Sequence, residues 1–449
     1  MASGGPPPTV SVVGASMSKK DRYTGLILVT TLFFLWGFAY GLLDVLNKHF
    51  QNVLGITKLQ STGLQVAYFG SYFFFPPLVG GPVIRKWGYK TGIMLGLGLY
   101  VSGALFFWPA AKYLSFGAFV GATFIMACGL SELETAANPY ISVLGDPKTA
   151  SFRLNFSQSF NGVGSFVGPL IASNAFFSGV NTTSLTSVQY VYLGIAVSVG
   201  LIAIGFAFVH VPEISDELML EQAIASGDAE IAARPLHKQW HTIFGFCAQF
   251  IYVASQVTLA SFFLNYVTEV DTNIPDSMAS NLLSVALATF TIGRFISTFL
   301  MRYFKPRYIL ACWAFFATLF CGLTIGLRGI PAVVVLILIF FFESCMYPTI
   351  FTLAIQDLGA NTKKGSSLLI MGVGGGAVFP PIQGAIADAA GTPVSQVVPM
   401  IGYCFVFIYA LFLAEPFGKK KLHSADVECV SEKKVDVDVL EVKAYNVIS

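Results

Sequence analysis

Two acidic residues stand in stretches that otherwise read as lipid-soluble: Asp44, near the end of the apolar run 24–46, and Glu134, near the end of the run 115–142. A carboxylate held at mid-membrane costs roughly 2.5–3.5 kcal/mol even on lenient insertion scales. A chain that keeps two of them is expected to use them, either to carry protons or to hold a polar solute. Asn138 follows Glu134 by one helical turn, so the two share a face, with Thr135 beside them. Asp44 has a second reading, a helix-end residue close to water, because Asn47 and Lys48 follow it.

Other polar side chains recur at helical spacing. Gln158 and Asn161 are one turn apart, and Gln249 and Gln256 are two turns apart. An amide both donates and accepts, which suits sugar hydroxyls; it equally suits joining helices across lipid. Glu132 is two residues from Glu134, hence roughly 200° around the helix, so the two cannot both face one cavity squarely and one of them is expected to pair with a neighbouring helix. Tyr40, Tyr68, Phe160 and Tyr347 are candidates to stack on the apolar face of a pyranose. Arg85, Arg153 and Arg294 read as cytoplasmic span ends whose side chains snorkel to water.

The elements that would position these residues follow from composition. The 449-residue chain is 55% hydrophobic and 11% charged, with a mean hydropathy of +0.70. A soluble domain is about 25% charged, so this surface belongs in lipid. A net charge of +2 gives no reason to expect nucleic acid. Twelve stretches reach the roughly 20 residues a spanning helix needs: 24–46, 61–84, 91–110, 115–142, 155–178, 189–210, 241–266, 279–302, 307–327, 331–356, 365–388 and 397–416. Nothing alternates as the strands of a membrane barrel do. The expected fold is therefore an all-α membrane protein of twelve helices.

Basic residues cluster before the first span (Lys19, Lys20, Arg22), after the second (Arg85, Lys86, Lys90) and after the fourth (Lys148, Arg153). They recur after the eighth (Arg302, Lys305, Arg307) and the tenth (Lys363, Lys364). With Lys419, Lys420 and Lys421 following the last span, both termini are expected in the cytoplasm. That topology places the sequon Asn181-Thr182-Thr183 outside, where glycosylation is possible. The expected division is a cytoplasmic tail 1–22, a six-helix bundle 23–211, an acidic connector 212–240 with a short helix near Asp216–Ala225, a second bundle 241–417 and a tail 418–449. The first 20 residues lack a short apolar core, so no cleavable signal is expected. Seven cysteines and five histidines show no ligand spacing, and no metal or cofactor is expected.

The two bundles repeat each other. Glu134 and Pro139 correspond to Glu343 and Pro348, Gly162-Val163-Gly164 to Gly372-Val373-Gly374, and Arg85 to Arg294, at a shared offset of 209 or 210 residues. Six spans repeated in one orientation are the parallel-repeat architecture of major facilitator transporters, with the solute site near the midplane between the halves. The glycines in these motifs are expected at close helix crossings. No GxxxxGK[ST] occurs, which disfavours a nucleotide-driven pump and leaves ion or solute gradients as the energy source.

Several segments together resemble the fucose/hexose/glucose-galactose permease branch of the major facilitator superfamily, which includes L-fucose–proton symporters. They are LFFLWGF (Leu32–Phe38), LETAANPY (Leu133–Tyr140), FRLNFSQSFN (Phe152–Asn161), AQFIYVASQ (Ala248–Gln256), IGRF (Ile292–Phe295) and YPTIFTLAIQDLG (Tyr347–Gly359). The resemblance spans about residues 24–416. It implies that Asp44 carries the proton, that Glu134 binds sugar and couples it to the proton, and that Gln158, Asn161 and Gln256 line the cavity. The chain departs from the family pattern at Gly41, Leu43 and Glu132, and Phe38–Asn52 looks more like fungal members that resemble N-acetylglucosamine transporters.

The expected function is proton-coupled uptake of a sugar (L-fucose, another hexose or N-acetylglucosamine) at the plasma membrane by a monomer working through alternating access. Asp44 and Glu134 would couple protons; Glu134, Asn138, Gln158, Asn161 and Gln256 would bind substrate, with Glu132, Gln249 and Tyr347 accessory. Export of a small metabolite on the same fold and a non-transporting nutrient receptor are the alternatives. No nucleophile-and-base set suggests an enzyme.

Overall fold

A computed structural model describes residues 19–55, 63–144, 147–176, 185–208 and 234–414, together with 213 and 219; within these, the side chains of 19–22, 40, 42–49, 51–52, 147, 168–176, 276–277, 280 and 360 are left out. Asp44 and Tyr40 therefore have a described helical backbone but no described side chain, while Asn181, the 216–225 segment apart from Met219, and the C-terminal tail lie outside the described residues.

The first six spans are built from α1 (Lys19–Leu54), α2 (Gly63–Phe75), α3 (Gly81–Lys112), α4 (Phe116–Val143), α5 (Ala150–Phe176) and α6 (Thr186–Phe208). The last six comprise α7 (Trp240–Ser261), α8 (Phe263–Val270), α9 (Asp276–Leu300), α10 (Pro306–Gly326), α11 (Gly329–Glu343), α12 (Met346–Ala354), α13 (Thr362–Met371), α14 (Phe379–Ala390), α15 (Thr392–Ser395) and α16 (Val397–Ile408). Among the described residues, nine helical stretches are long and apolar enough to cross a membrane. One of them, Gly63–Lys112, holds two passes; with α1 and α5 the passes number twelve.

Several expected spans are interrupted, each for a local reason. The second and third run together until Gly88 breaks the helix with a left-handed backbone (φ 83°, ψ 175°), a conformation only glycine adopts cheaply. The π-helical turn Pro76–Gly80 precedes it, where Pro76 and Pro77 remove backbone donors. The tenth span divides at Ser344–Cys345 into α11 and α12, and the eleventh passes through a 3₁₀ stretch at Gly372–Ala377. Irregular backbone at membrane depth persists only where protein or a watery cavity satisfies it.

Outward faces stay apolar: Val197, Leu201 and Ile204 on α6 are more than half exposed, as lipid requires. Tyr113, Trp240, Tyr303 and Tyr308 are exposed near helix ends, where amphipathic rings favour a membrane–water boundary.

Glycines let the helices touch. A Cβ at Gly164 on α5 would overlap the Phe34 carbonyl oxygen on α1, and one at Gly37 the Asn161 carbonyl oxygen. In the second bundle a Cβ at Gly375 would overlap the Phe250 carbonyl oxygen on α7. With no hydrophobic drive between helices in lipid, this close approach is what supplies packing energy.

The two bundles meet along α5, α9 and α12, and along α2 with the Gly372–Ala377 stretch. At the end where α5 begins and α9 ends, the seam is closed by polar contacts. Ser151 Oγ lies 2.7 Å from Thr352 Oγ1, and Asn155 Nδ2 donates to Thr349 Oγ1 at 3.2 Å. Glu213 joins this end: it accepts from the Tyr89 N–H at 2.9 Å and pairs with Lys363 Nζ at 3.5 Å, tying the α3 break to α13. Arg153 is held at the same end, donating to the Ile141 and Ser142 carbonyls that finish α4.

A bulky side chain at Gly164 is expected to separate α1 from α5. Gly164→Leu should yield no monodisperse protein by size-exclusion chromatography in detergent. Gly98→Ala, where nothing lies within 4 Å of an added Cβ, should match the parent within ~0.5 kcal/mol.

Candidate functional site

Helix spacing places the N-terminal bundle's polar residues on one shared face. Asn138 Nδ2 donates to Glu134 Oε1 at 3.3 Å, one turn back along α4. Gln158 Nε2 on α5 donates to Asn138 Oδ1 at 3.2 Å, so amides and carboxylate form one chain of hydrogen bonds. Its far end crosses between the bundles: the Tyr347 hydroxyl, on α12, donates to the same Glu134 oxygen. Glu134 is 3% exposed, so every partner counts in holding its charge.

Aromatic residues shape the next layer. Trp36 Nε1 donates to the Tyr72 hydroxyl at 2.6 Å and to Tyr68 at 3.1 Å, and Tyr72 sits beside the Glu134 carboxyl. An indole donor buried against two phenols is the amphipathic use of Trp that a dry interior permits.

Between the bundles lies a cavity of about 120 Å³. That is several times the roughly 10–15 Å³ needed to admit a single water, so there is room for a small polar solute. The first bundle contributes Trp36, Tyr68, Gln158 and Asn161 to its wall. The second contributes Gln256, Arg294, Glu343 and Tyr347. Rings and a few convergent polar groups around a concave space are the usual makings of a small-molecule site.

The expected site residues divide accordingly. Gln158, Asn161, Gln256, Tyr347 and Tyr68 line the cavity. Asn161 Nδ2 is also bound to the Phe33 carbonyl at 3.3 Å, so it joins α1 to α5 as well. Glu134 borders a smaller neighbouring hollow with Leu133 and Ala137, one layer behind Tyr347. Asn138 reaches the cavity only through Gln158. Gln249 is absent from the wall: it shares a helix face with Gln256, but two turns nearer the closed end, where Gly372 packs on it. Phe160 makes an edge contact with Phe295 across the bundles, 6.3 Å between centroids, instead of lining the cavity.

Glu132 departs from expectation. It is fully buried, with its oxygens against Gly80 and Gly92, and among the described residues neither oxygen has a hydrogen-bond partner. Of the two acids it is Glu134 that pairs with another helix, through Tyr347, and Glu132, expected as an accessory residue, is not among those lining the cavity.

Arg294 departs further. It was expected at a span end, and it is 3% exposed and lines the cavity. Its Nε donates to the Ser344 carbonyl at 2.7 Å, at the break between α11 and α12, and its Nη1 to the Gln158 carbonyl on α5 at 2.8 Å. The guanidinium also stands 4.6 Å over the Phe290 ring. It therefore binds both bundles at once, and it satisfies a carbonyl that the helix break exposes. Arg85, its partner by sequence offset, is exposed at the Gly88 break, so the two do not occupy equivalent depths. Trp36, Arg294 and Glu343 are among the cavity residues that sequence reasoning did not assign to the site. The available signal was an arginine six residues inside the end of a spanning helix, and an acid at the repeat position of Glu134.

Comparison with known proteins fits this geometry. Residues 26–368 match the family model described as Major Facilitator Superfamily. The chain is 34% identical over 410 residues to the L-fucose-proton symporter of Escherichia coli, covering 86% of this chain and 92% of that protein. It is 33% identical over 399 residues to the glucose/galactose transporter of Brucella abortus, covering 88% of this chain and 95% of that one. Among solved structures, the transporter FucP in the outward conformation superposes with a TM-score of 0.76 at 33% identity, over 87% of this chain and 99% of its own.

The bond from Tyr347 to Glu134 is open to direct test. Tyr347→Phe should lower the unfolding free energy of the solubilised protein by roughly 1–3 kcal/mol, the range for a lost donor to a buried charged group. Tyr409→Phe, at a buried hydroxyl with no partner among the described residues, should leave thermal unfolding unchanged or raise it slightly.

Proposed function

The chain belongs to the major facilitator superfamily, and we propose that it is a proton-coupled sugar transporter working by alternating access. The observation that carries this reading is the hydrogen-bonded line Gln158–Asn138–Glu134–Tyr347, which runs from one bundle to the other beside the cavity between them. The similarity to an L-fucose-proton symporter and a glucose/galactose transporter supports a sugar as the substrate class and the proton as the coupling ion.

In this mechanism Gln158, Asn161 and Gln256 hold sugar hydroxyls at the cavity wall, and Tyr68 and Trp36 offer ring faces to the apolar side of the pyranose. Glu134 takes part through Tyr347 and Asn138. Asp44 lies two turns along α1 from Trp36 and is assigned the transported proton. A carboxylate that must load on one side and unload on the other needs an environment that changes between states, since burial favours its neutral form and hydration its charged form. The Tyr347–Glu134 and Arg294–Gln158 bonds cross the joint that has to open. Rocking of the bundles must therefore break or rebuild both, which makes the occupancy of the site and the position of the halves one equilibrium.

The closed seam at Ser151–Thr352 and Glu213–Lys363 lies at the end marked by the basic loops, so this end faces the cytoplasm in our reading. Both termini and the connector 212–240 lie there, with bundles 23–211 and 241–417 spanning the plasma membrane. The unit is a monomer, no enzymatic step is involved, and the driving force is the proton gradient.

In a transporter-null host, the protein should accumulate at least one labelled hexose or N-acetylhexosamine against its gradient, and sugar addition should make the medium more alkaline. Asp44→Asn is expected to abolish uphill accumulation while exchange of internal for external sugar continues. Glu134→Gln is expected to impair both. Uphill uptake surviving in Asp44→Asn would refute the proton assignment.

A further inference from the structure

The mechanism above leaves two buried acids unused, Glu132 and Glu343, and of these Glu343 lies at the central cavity. Glu343 is fully buried, yet it is among the residues around the central cavity, where Glu134 is not. One of its carboxylate oxygens accepts the Tyr403 hydroxyl from α16; the other, Oε1, has no hydrogen-bond partner among the described residues. A carboxylate kept for structure alone is expected to have its oxygens satisfied, since an unpaired polar atom in a dry interior is costly. Here one oxygen is anchored and the other is buried and unpaired among the described residues, a state that Glu134 Oε2 shares.

The backbone under Glu343 is unusually well fixed. α11 ends at this residue, and the carbonyls freed by the break are claimed individually. The Tyr252 hydroxyl donates to the Glu343 carbonyl at 2.9 Å, and Arg294 Nε to the Ser344 carbonyl at 2.7 Å. Such a supporting shell is what holds a binding group to within a fraction of an ångström. Arg294 shares the cavity wall and its charge acts on the Glu343 carboxyl, so the acid is not electrostatically alone. Charged groups of this kind inside a membrane bundle mark substrate and ion pathways.

We propose that Glu343 is the second bundle's own sugar-binding group, whose free Oε1 accepts a hydroxyl of the bound monosaccharide. The inference rests on the sugar-transport reading and deepens it. Glu343 occupies the repeat position of Glu134, so each bundle supplies one tyrosine-anchored acid: Tyr347 on Glu134 and Tyr403 on Glu343. The sugar is held between the amides of α5 on one side and Glu343 beside Arg294 on the other. A ligand gripped by both bundles favours the conformation that brings them together, which is the step transport requires.

The test uses proteoliposomes containing the full chain. A labelled monosaccharide transported by the parent protein is competed with its series of monodeoxy analogues, for the parent, Glu343→Met and Glu343→Gln. Against the parent, one analogue should compete roughly 10- to 100-fold more weakly than the complete sugar, the range for a lost hydrogen bond to a charged group. In Glu343→Met the complete sugar should bind as weakly as that analogue, and deleting the same hydroxyl should cost nothing more. Glu343→Gln keeps an acceptor for Tyr403 and is read in the same way if the methionine variant does not fold; its penalty for that analogue should shrink. A merely structural role for Glu343 would lower affinity for every analogue alike. Equal penalties for each missing hydroxyl in parent and variants would overturn the proposal while leaving sugar transport standing. A parent that transports no sugar in the panel would overturn the transport reading and this inference with it.

Discussion

The hydroxyl of Tyr347 on the Glu134 carboxylate joins two bundles that share no continuous helix at that depth. Water cannot be relied on to solvate a carboxylate in the middle of a bilayer, so protein groups must do it. Asn138 supplies a donor from the same helix and Tyr347 one from the opposite bundle. Because one of those donors belongs to the moving partner, the comfort of the charge depends on how the halves sit. Arg294 imposes the converse condition: a buried cation whose two carbonyl acceptors, on Gln158 and Ser344, also lie in different bundles. An acid and a base that each need both halves turn the packing of the interface into an electrostatic variable.

That arrangement needs helices close enough for short side chains to meet. Gly37 and Gly164 bring α1 and α5 into backbone contact, which holds Trp36 and the Gln158–Asn161 face in fixed relation. Gly375 does the same for the 3₁₀ stretch against α7. Rigid six-helix units with polar groups on the seam are suited to rocking as bodies. Their interior contacts are van der Waals contacts that persist, and the contacts at the seam are hydrogen bonds that can be exchanged for others.

Much of this was legible in the sequence, because its physical cause is local. Apolar length alone located the twelve passes, since the bilayer sets the required number of residues. One-turn spacing brought Asn138 to Glu134 on a shared face. The parts that were not legible depend on depth and partners. IGRF near the end of an apolar stretch reads as a snorkelling cation, and only the position of α9 relative to the α11–α12 break shows Arg294 turned inward. Gln249 and Gln256 are equivalent by periodicity, and the closed seam separates them. The break at Ser344–Cys345 has a local cause, because Pro348 has no N–H to give the Ser344 carbonyl four residues back. What no local pattern encodes is which tertiary donors, Tyr252 and Arg294, take up the carbonyls at the break.

The repeat makes the asymmetry of the two bundles informative. Both keep an acid at equivalent sequence positions and anchor it with a tyrosine, but α4 runs unbroken through Glu134 while α11 stops at Glu343. In the first bundle the acid is a layer behind the wall, reached through Tyr347; in the second it is on the wall itself. Duplication by itself would give two like sites. What differs is the helix break, and the break is also what exposes the carbonyl that Arg294 binds. The cation, the buried carboxylate and the irregular backbone thus form one local unit, and the polarity of the second bundle's side of the cavity follows from it.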